Sequence, residues 1–180
     1  MLSRLKTLAL ATTVVTAIAA SAASESAVAA PLQNGPAAPE FTGISNWLNS
    51  SPLTLQQLRG KVVLVDFWTY TCINCINTLP YVKDWNQKYK DQGLTVIGVH
   101  TPEYPFERDT GNVKTAITRF GISYPVAQDN HYATWSAYNN QYWPAFYLID
   151  KQGKVAYTHF GEGDYAQTEA AIQALLAQKN

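Results

Sequence analysis

Cysteine is nearly absent from this chain: there are two in 180 residues, Cys72 and Cys75. A fold stapled by disulfides carries more than one pair, and a chain of this length does not need them, so the two thiols point to chemistry. A disulfide closing so short a loop would add little stability. Histidine is also sparse. His100, His131 and His159 form no spaced pair that would complete a zinc site begun by the cysteines. Residue 76 is isoleucine, which excludes the histidine that follows the second cysteine in covalent haem attachment. No metal or other cofactor is expected. Neither charge prevails, with 13 Lys and Arg against 13 Asp and Glu, so the balance does not point to nucleic acid or an anionic membrane. Internal repeats are absent.

The N-terminal apolar run, TLALATTVVTAIAA at 7–20, is too short to span a bilayer comfortably. Arg4 and Lys6 precede it, and small residues follow, with ASA (20–22) and AVA (27–29) as cleavage sites. This pattern predicts a secretory signal peptide over 1–22, hence a periplasmic or secreted domain. Arg4 and Lys6 leave with it, so 11 basic residues remain against 13 acidic ones. Residues 23–37, rich in Ala, Pro, Ser and Gly, are expected to form a disordered leader. Residues 38–180 then form one domain.

Residues 53–61 read as a short helical turn ending at Gly60. VVLVDFW (62–68) is a nearly continuous apolar run, the signature of a strand buried on both faces of an α/β sheet. Helical spacing follows from Cys75 to about Tyr89, with Leu79, Val82, Trp85 and Tyr89 on one face and Pro80 as a kink. LTVIGVH (94–100) is a second buried strand, residues 101–112 a proline-containing loop, and 113–121 a helix closed by glycine. YPVAQD supplies a short strand, and a helix is expected from near Asp129. A hairpin of 145–150 and 154–160 and a final helix over 165–178 complete the chain. The order predicts an α/β sandwich with a mixed sheet.

The cysteines fall where the strand at 62–68 gives way to a helix. Unpaired amides and the positive end of the helix dipole favour a thiolate at Cys72, making it the nucleophile. Cys75 lies one turn on, on the same face and within reach of a disulfide, as the resolving thiol. Asp66 admits two readings. It is either a strand-end carboxylate that reaches solvent or a cap, or a buried one whose raised pKa lets it take, through water, the proton of Cys75. Pro144 is either a first strand residue or, after the aromatic Trp143, a cis proline. His100 admits a place beside Cys72 with Glu103 or Glu107, but a structural histidine at a strand end explains it better. His131 and His159 read as surface or supporting groups. The aromatic stretch 131–143 reads as core and hairpin packing before it reads as a ligand groove.

Together these residues resemble the thioredoxin superfamily. VDFWTYTCINC (65–75) matches its strand ending in Asp-Phe-Trp with the redox pair four residues beyond the tryptophan, Pro80 its helix-kinking proline, and Pro144 its cis proline. The resemblance runs over 38–178. APEF, LTLQQLRGKVVLVDFW and the extra helix near 113–120 are similar to exported, peroxiredoxin-related thiol-disulfide oxidoreductases of cytochrome c maturation. TYTCINCINTLPYV, VIGVHTPEYPFERD and HFGEGDY resemble the soluble thioredoxin-like domain of DipZ-type proteins.

The resemblance implies a thioredoxin fold with an N-terminal extension and an inserted helix. It also implies dithiol-disulfide exchange with protein substrates, a membrane electron donor, and Trp143 and Pro144 holding an extended substrate segment. A monomer is the default. Thr71 stands where a tryptophan is usual, Ile73 and Asn74 where Gly-Pro is usual, and Trp143 where a smaller residue is common. With no histidine between the cysteines, a reducing poise is favoured. Two rival readings remain, a thiol peroxidase and a copper-handling chaperone using both thiols and a recruited histidine.

Overall fold

The computed structural model describes residues 32–179. The expected signal peptide and most of the expected leader lie outside the described residues. The leader's last residues are hydrogen-bonded, so it ends earlier than its composition indicated. Gln33 N–H donates to the Ala156 carbonyl (2.6 Å), Gly35 N–H to Val155 (3.1 Å), and Val155 N–H to Pro36 (3.0 Å). An Ala-Pro-rich segment cannot bury much of itself, but it can cap the free edge of a strand supplied by the rest of the chain.

Six strands form one mixed sheet in the order β1-β4-β3-β2-β5-β6. The strands are β1 (Asn46–Leu48), β2 (Val62–Trp68), β3 (Leu94–His100), β4 (Val126–Gln128), β5 (Ala145–Ile149) and β6 (Val155–Phe160). Four helices accompany them: α1 (Ile73–Tyr89), α2 (Thr110–Phe120), α3 (Ala133–Ala137) and α4 (Tyr165–Ala177). β2 pairs parallel with β3 and antiparallel with β5. It is therefore central, and all seven of its residues are buried. That explains why its sequence is apolar without alternation.

The two faces of β2 serve different cores. Val62, Leu64 and Trp68 pack with Leu79, Val82 and Trp85 of α1, Ile117 of α2 and Ile172 of α4. Val63, Val65 and Phe67 pack on the other side with Leu55, Leu58 and Tyr138, with Trp135 of α3 against them. Asp66 shares the parity of Leu64 and Trp68, so it points toward the α1 side. The β2-α1-β3 crossover makes the parallel pair possible. It also brings the start of α1 to the carboxyl end of the central strand, where sites form in open α/β sheets.

Three local expectations shift. Residues 55–60 form turns and no helix; the Glu40 carboxylate takes the Leu55 and Gln56 N–H groups there (2.8 and 3.3 Å). α2 starts at Thr110 because Asp109 caps it, accepting from Asn112 N–H at 2.8 Å. α3 starts only at Ala133, since Tyr132 sits at φ 57° and the Asp129 carboxylate caps Thr134 and Trp135 (3.3 and 2.8 Å).

Candidate active site

Cys72 is the N-cap residue of α1, with extended backbone at φ −70° and ψ 113°. Its Sγ accepts a hydrogen bond from the Cys75 backbone N–H at 3.2 Å. Both cysteines are free thiols; Cys72 is partly exposed and Cys75 fully buried. The environment splits their acidities. The Cys75 thiol, donating to Cys72, and the N–H groups of Cys75 and Asn74 lower the Cys72 pKa to about 7, against burial and the charge of Glu103. Burial, and its own service as donor to Cys72, push the Cys75 thiol far up. One sulfur is thus set to be a thiolate near neutrality while the other holds its proton.

Asp66 neither reaches solvent nor caps a helix. It is fully buried, and neither carboxylate oxygen has a hydrogen-bond partner. Burial, with a smaller contribution from the negative charge of Cys72, pushes its pKa up to about 8. The carboxyl lies close enough to feel both thiols, since its charge also raises Cys75.

The Trp143–Pro144 peptide bond is cis. Trp143 is held by its indole N–H donating to the Thr101 carbonyl (3.1 Å) and by its ring lying 4.2 Å from Trp135. The Pro144 carbonyl accepts from Gly161 N–H at 2.8 Å. Trp143 and Gly161 line a cleft of about 440 Å³ with Asn74, Tyr142 and Phe160. Because Asn74 lies between the two cysteines, the cleft joins the thiol pair to the Trp143–Pro144 loop.

His100 is fully buried, with its ring edge-on to Trp68 (5.2 Å) and stacked on Tyr70 (5.6 Å). Its Nε2 lies 3.3 Å from Thr69 Oγ1, and burial lowers its pKa to about 4 against the pull of Glu107, so the ring is neutral at pH 7. It packs behind the thiol loop as a structural histidine. His131 is exposed, and His159 Nδ1 lies 3.7 Å from Asp164. Among the described residues, no group of three or more His, Cys, Asp and Glu is gathered as metal ligands would be.

Glu107 has a larger part than its sequence context indicated. Its buried carboxylate accepts from Thr71 Oγ1 (2.6 Å), Thr71 N–H (3.3 Å), Glu103 N–H (2.6 Å) and Tyr104 N–H (2.9 Å). Burial alone would raise its pKa, but these donors hold it below the usual glutamate value. It thereby ties the loop before α2 to the residue preceding Cys72. Glu107→Ala leaves several buried donors unpaired, and an expected loss of roughly 2–4 kcal/mol is readable by urea unfolding at pH 7. A carboxylate with lowered pKa stabilises the fold above its unfolded pKa and loses that contribution as pH falls through the folded value. The difference between variant and parent should accordingly shrink in acid. The sequence signal for Glu107 was Tyr-Pro-Phe-Glu, a proline-started turn with an acid at its third position, which the structure shows as a capping box over Pro105–Arg108.

The fold recurs in known proteins. The redoxin family model matches residues 33–176. Protein DipZ of Mycobacterium tuberculosis is 56% identical over 151 residues, covering 82% of this chain and 22% of that protein. The chain therefore spans about a fifth of its DipZ relatives. The thiol-disulfide oxidoreductase YkuV of Bacillus subtilis is 34% identical over 141 residues, covering 78% of this chain and 94% of YkuV. The crystal structure of a thiol-disulfide isomerase from Corynebacterium glutamicum superposes with a TM-score of 0.70 at 26% identity, covering 79% of this chain and 98% of that one. A match over nearly the whole folded region, to relatives of similar length as well as to one much longer, places the chain in the redoxin family, among the thioredoxin-fold thiol-disulfide oxidoreductases.

Proposed function

We propose that the chain acts outside the cytoplasm as a dithiol reductant of protein disulfides, with Cys72 as nucleophile and Cys75 as resolving thiol. The observation that carries this reading is the Cys72 sulfur at the N-cap of α1, 3.2 Å from the Cys75 N–H, with Cys75 buried directly behind it. The Cys72 thiolate attacks one sulfur of a substrate disulfide, and the other sulfur departs as a thiolate that takes a proton from solvent. Cys75 then gives its proton to Asp66 and attacks Cys72 Sγ. The mixed disulfide breaks, the second substrate sulfur leaves, and the Cys72–Cys75 disulfide forms. Two electrons pass from chain to substrate, and a donor dithiol must return them.

The acidity of Cys72 supports the reducing direction. Oxidising relatives of this chemistry stabilise their reduced state with a nucleophile near pKa 3.5, whereas reductants keep it near 7. Cys72, at about 7, is of the second kind. The N-terminal pattern supports export, and the cleft from Asn74 to Gly161 supports a polypeptide segment lying across the Trp143–Pro144 loop. Equilibration with glutathione tests the direction. The couple is expected at a potential of about −250 mV or lower; a value near −120 mV would make the chain an oxidant. Insulin reduction run beside anaerobic Cu(I) titration separates exchange from copper carriage.

A further inference from the structure

Asp66 is accompanied by two other buried polar groups that lack partners, and all three meet at Gly98. Gly98 stands opposite Asp66 in the β2–β3 register. A Cβ added there would lie 2.9 Å from Trp68 Nε1 and 3.1 Å from Tyr124 Cε2. The two aromatic side chains thus fill the space that the glycine leaves beside Asp66. The Trp68 indole N–H and the Tyr124 hydroxyl are buried and have no hydrogen-bond partner among the described residues, like both Asp66 oxygens. A buried hydroxyl without a partner is destabilising, and phenylalanine at position 124 would avoid the penalty.

The polarity makes sense if its partner is a charge present during only part of the catalytic cycle. Tyr124 is suited to answer it. Burial, and then the charge of Asp66, raise the phenol pKa well above its ordinary value, so the hydroxyl stays a donor.

We infer that Tyr124, aided by the Trp68 indole N–H, is a positioning residue for Asp66: it donates toward the ionised carboxylate, directly or through one water, and so sets how readily Asp66 takes the proton of Cys75. The inference rests on the assignment of Asp66 as proton acceptor. In the step concerned, the proton passes from Cys75 Sγ to Asp66, the freed electron pair forms the bond to Cys72 Sγ, and the substrate sulfur leaves with the electrons of the broken bond. Asp66 later returns its proton to solvent.

Other titratable groups on this face are accounted for. Cys72 and Cys75 come from the start of α1, and His100 from the end of β3 is neutral. His159 of β6 stands beyond Phe146, 6.1 Å from that ring, and Tyr157 of β6 is engaged with Thr168 of α4 at 3.0 Å.

Tyr124→Phe removes one oxygen and keeps the ring. Its test is a carbon-13 NMR titration of the Asp66 carboxyl in the reduced protein, run with single-turnover release of a mixed disulfide on Cys72. Without the donor, the Asp66 midpoint should rise by about one pH unit, a tenfold change in proton affinity, and release at neutral pH should slow by about tenfold. Gly98→Ala, which displaces Tyr124 without deleting the hydroxyl, should move the midpoint the same way. In an Asp66→Asn background, Tyr124→Phe should add nothing to the rate. Superimposable titrations of Tyr124→Phe and the parent would overturn the inference while Asp66→Asn still slowed release. An Asp66→Asn variant with normal release would remove the proton-acceptor assignment, and this inference with it.

Discussion

Asparagine at position 66 should make the protein more stable at neutral pH by about 4 kcal/mol and, in the same variant, slow the release of mixed disulfides by about 10²-fold. The first effect follows from the carboxyl's position. Asp66 titrates near pH 8 in the folded chain and near 3.9 when unfolded. Between these values the folded state holds the proton more tightly, so stability is greatest below the unfolded pKa and falls as pH rises toward the folded one. By pH 7 about three units of that interval have been crossed, at about 1.36 kcal/mol each. Asparagine has the shape of aspartic acid but cannot ionise, and it keeps the stability that aspartate loses. For a domain of this size the gain corresponds to roughly 10 °C in Tm.

The decisive control is pH. The advantage should be large at pH 7 and absent below about pH 3, where aspartate is protonated in both states; an equal gain at both would trace it to packing. The rate loss comes from removing the acceptor of the Cys75 proton. Stability gained and rate lost in one substitution is the pattern of a residue kept for chemistry at the expense of the fold.

Much of this was legible in the chain, for identifiable reasons. β2 and β3 could be read from nearly continuous apolar runs, and α1 from the spacing of Leu79, Val82, Trp85 and Tyr89. In each, burial is written locally, residue after residue. The thiol pair was legible because its chemistry depends on position at a helix start. What escaped depended on distant partners. β1 is three residues long and exists by pairing with β4, from Asn46 opposite Gln128 to Leu48 opposite Val126. Residues 33–38 took order from β6, far along the chain. The onset of α3 was misplaced because Tyr132 adopts a positive φ that its residue type does not announce.

At the site, the two readings of Asp66 could not be separated from sequence, since they differ only in whether the strand continues past it into the interior. Trp68, still buried two residues later, settles that it does. Glu107 and Tyr124 escaped for a related reason. Each is 32 or more residues from the cysteines in sequence and meets the site only through the sheet and the loop before α2.

Serine at position 75 should convert the protein from a turning-over reductant into a trap. Cys72 keeps its helix N-cap and the N–H groups of residues 74 and 75, so it still attacks substrate disulfides. No second sulfur then stands within reach to release them. An intramolecular nucleophile held in place acts at effective concentrations of 10⁵ M or more, so release by millimolar external thiol should be at least about 10³-fold slower. Mixed disulfides should accumulate on Cys72, visible as reducible adducts on non-reducing gels and by mass spectrometry. Cys75→Ala should trap in the same way but with a slower first attack near neutrality. The Cys75 thiol is the foremost of the groups that lower the Cys72 pKa to about 7, and alanine offers no donor in its place, so the alkylation midpoint of Cys72 should move upward. Serine retains a hydroxyl donor and should hold that midpoint closer to the parent's. If neither variant accumulated adducts while the parent reduced insulin, Cys75 would not be the resolving thiol. A normal alkylation midpoint in Cys75→Ala would instead assign the acidity of Cys72 to the backbone of α1 alone.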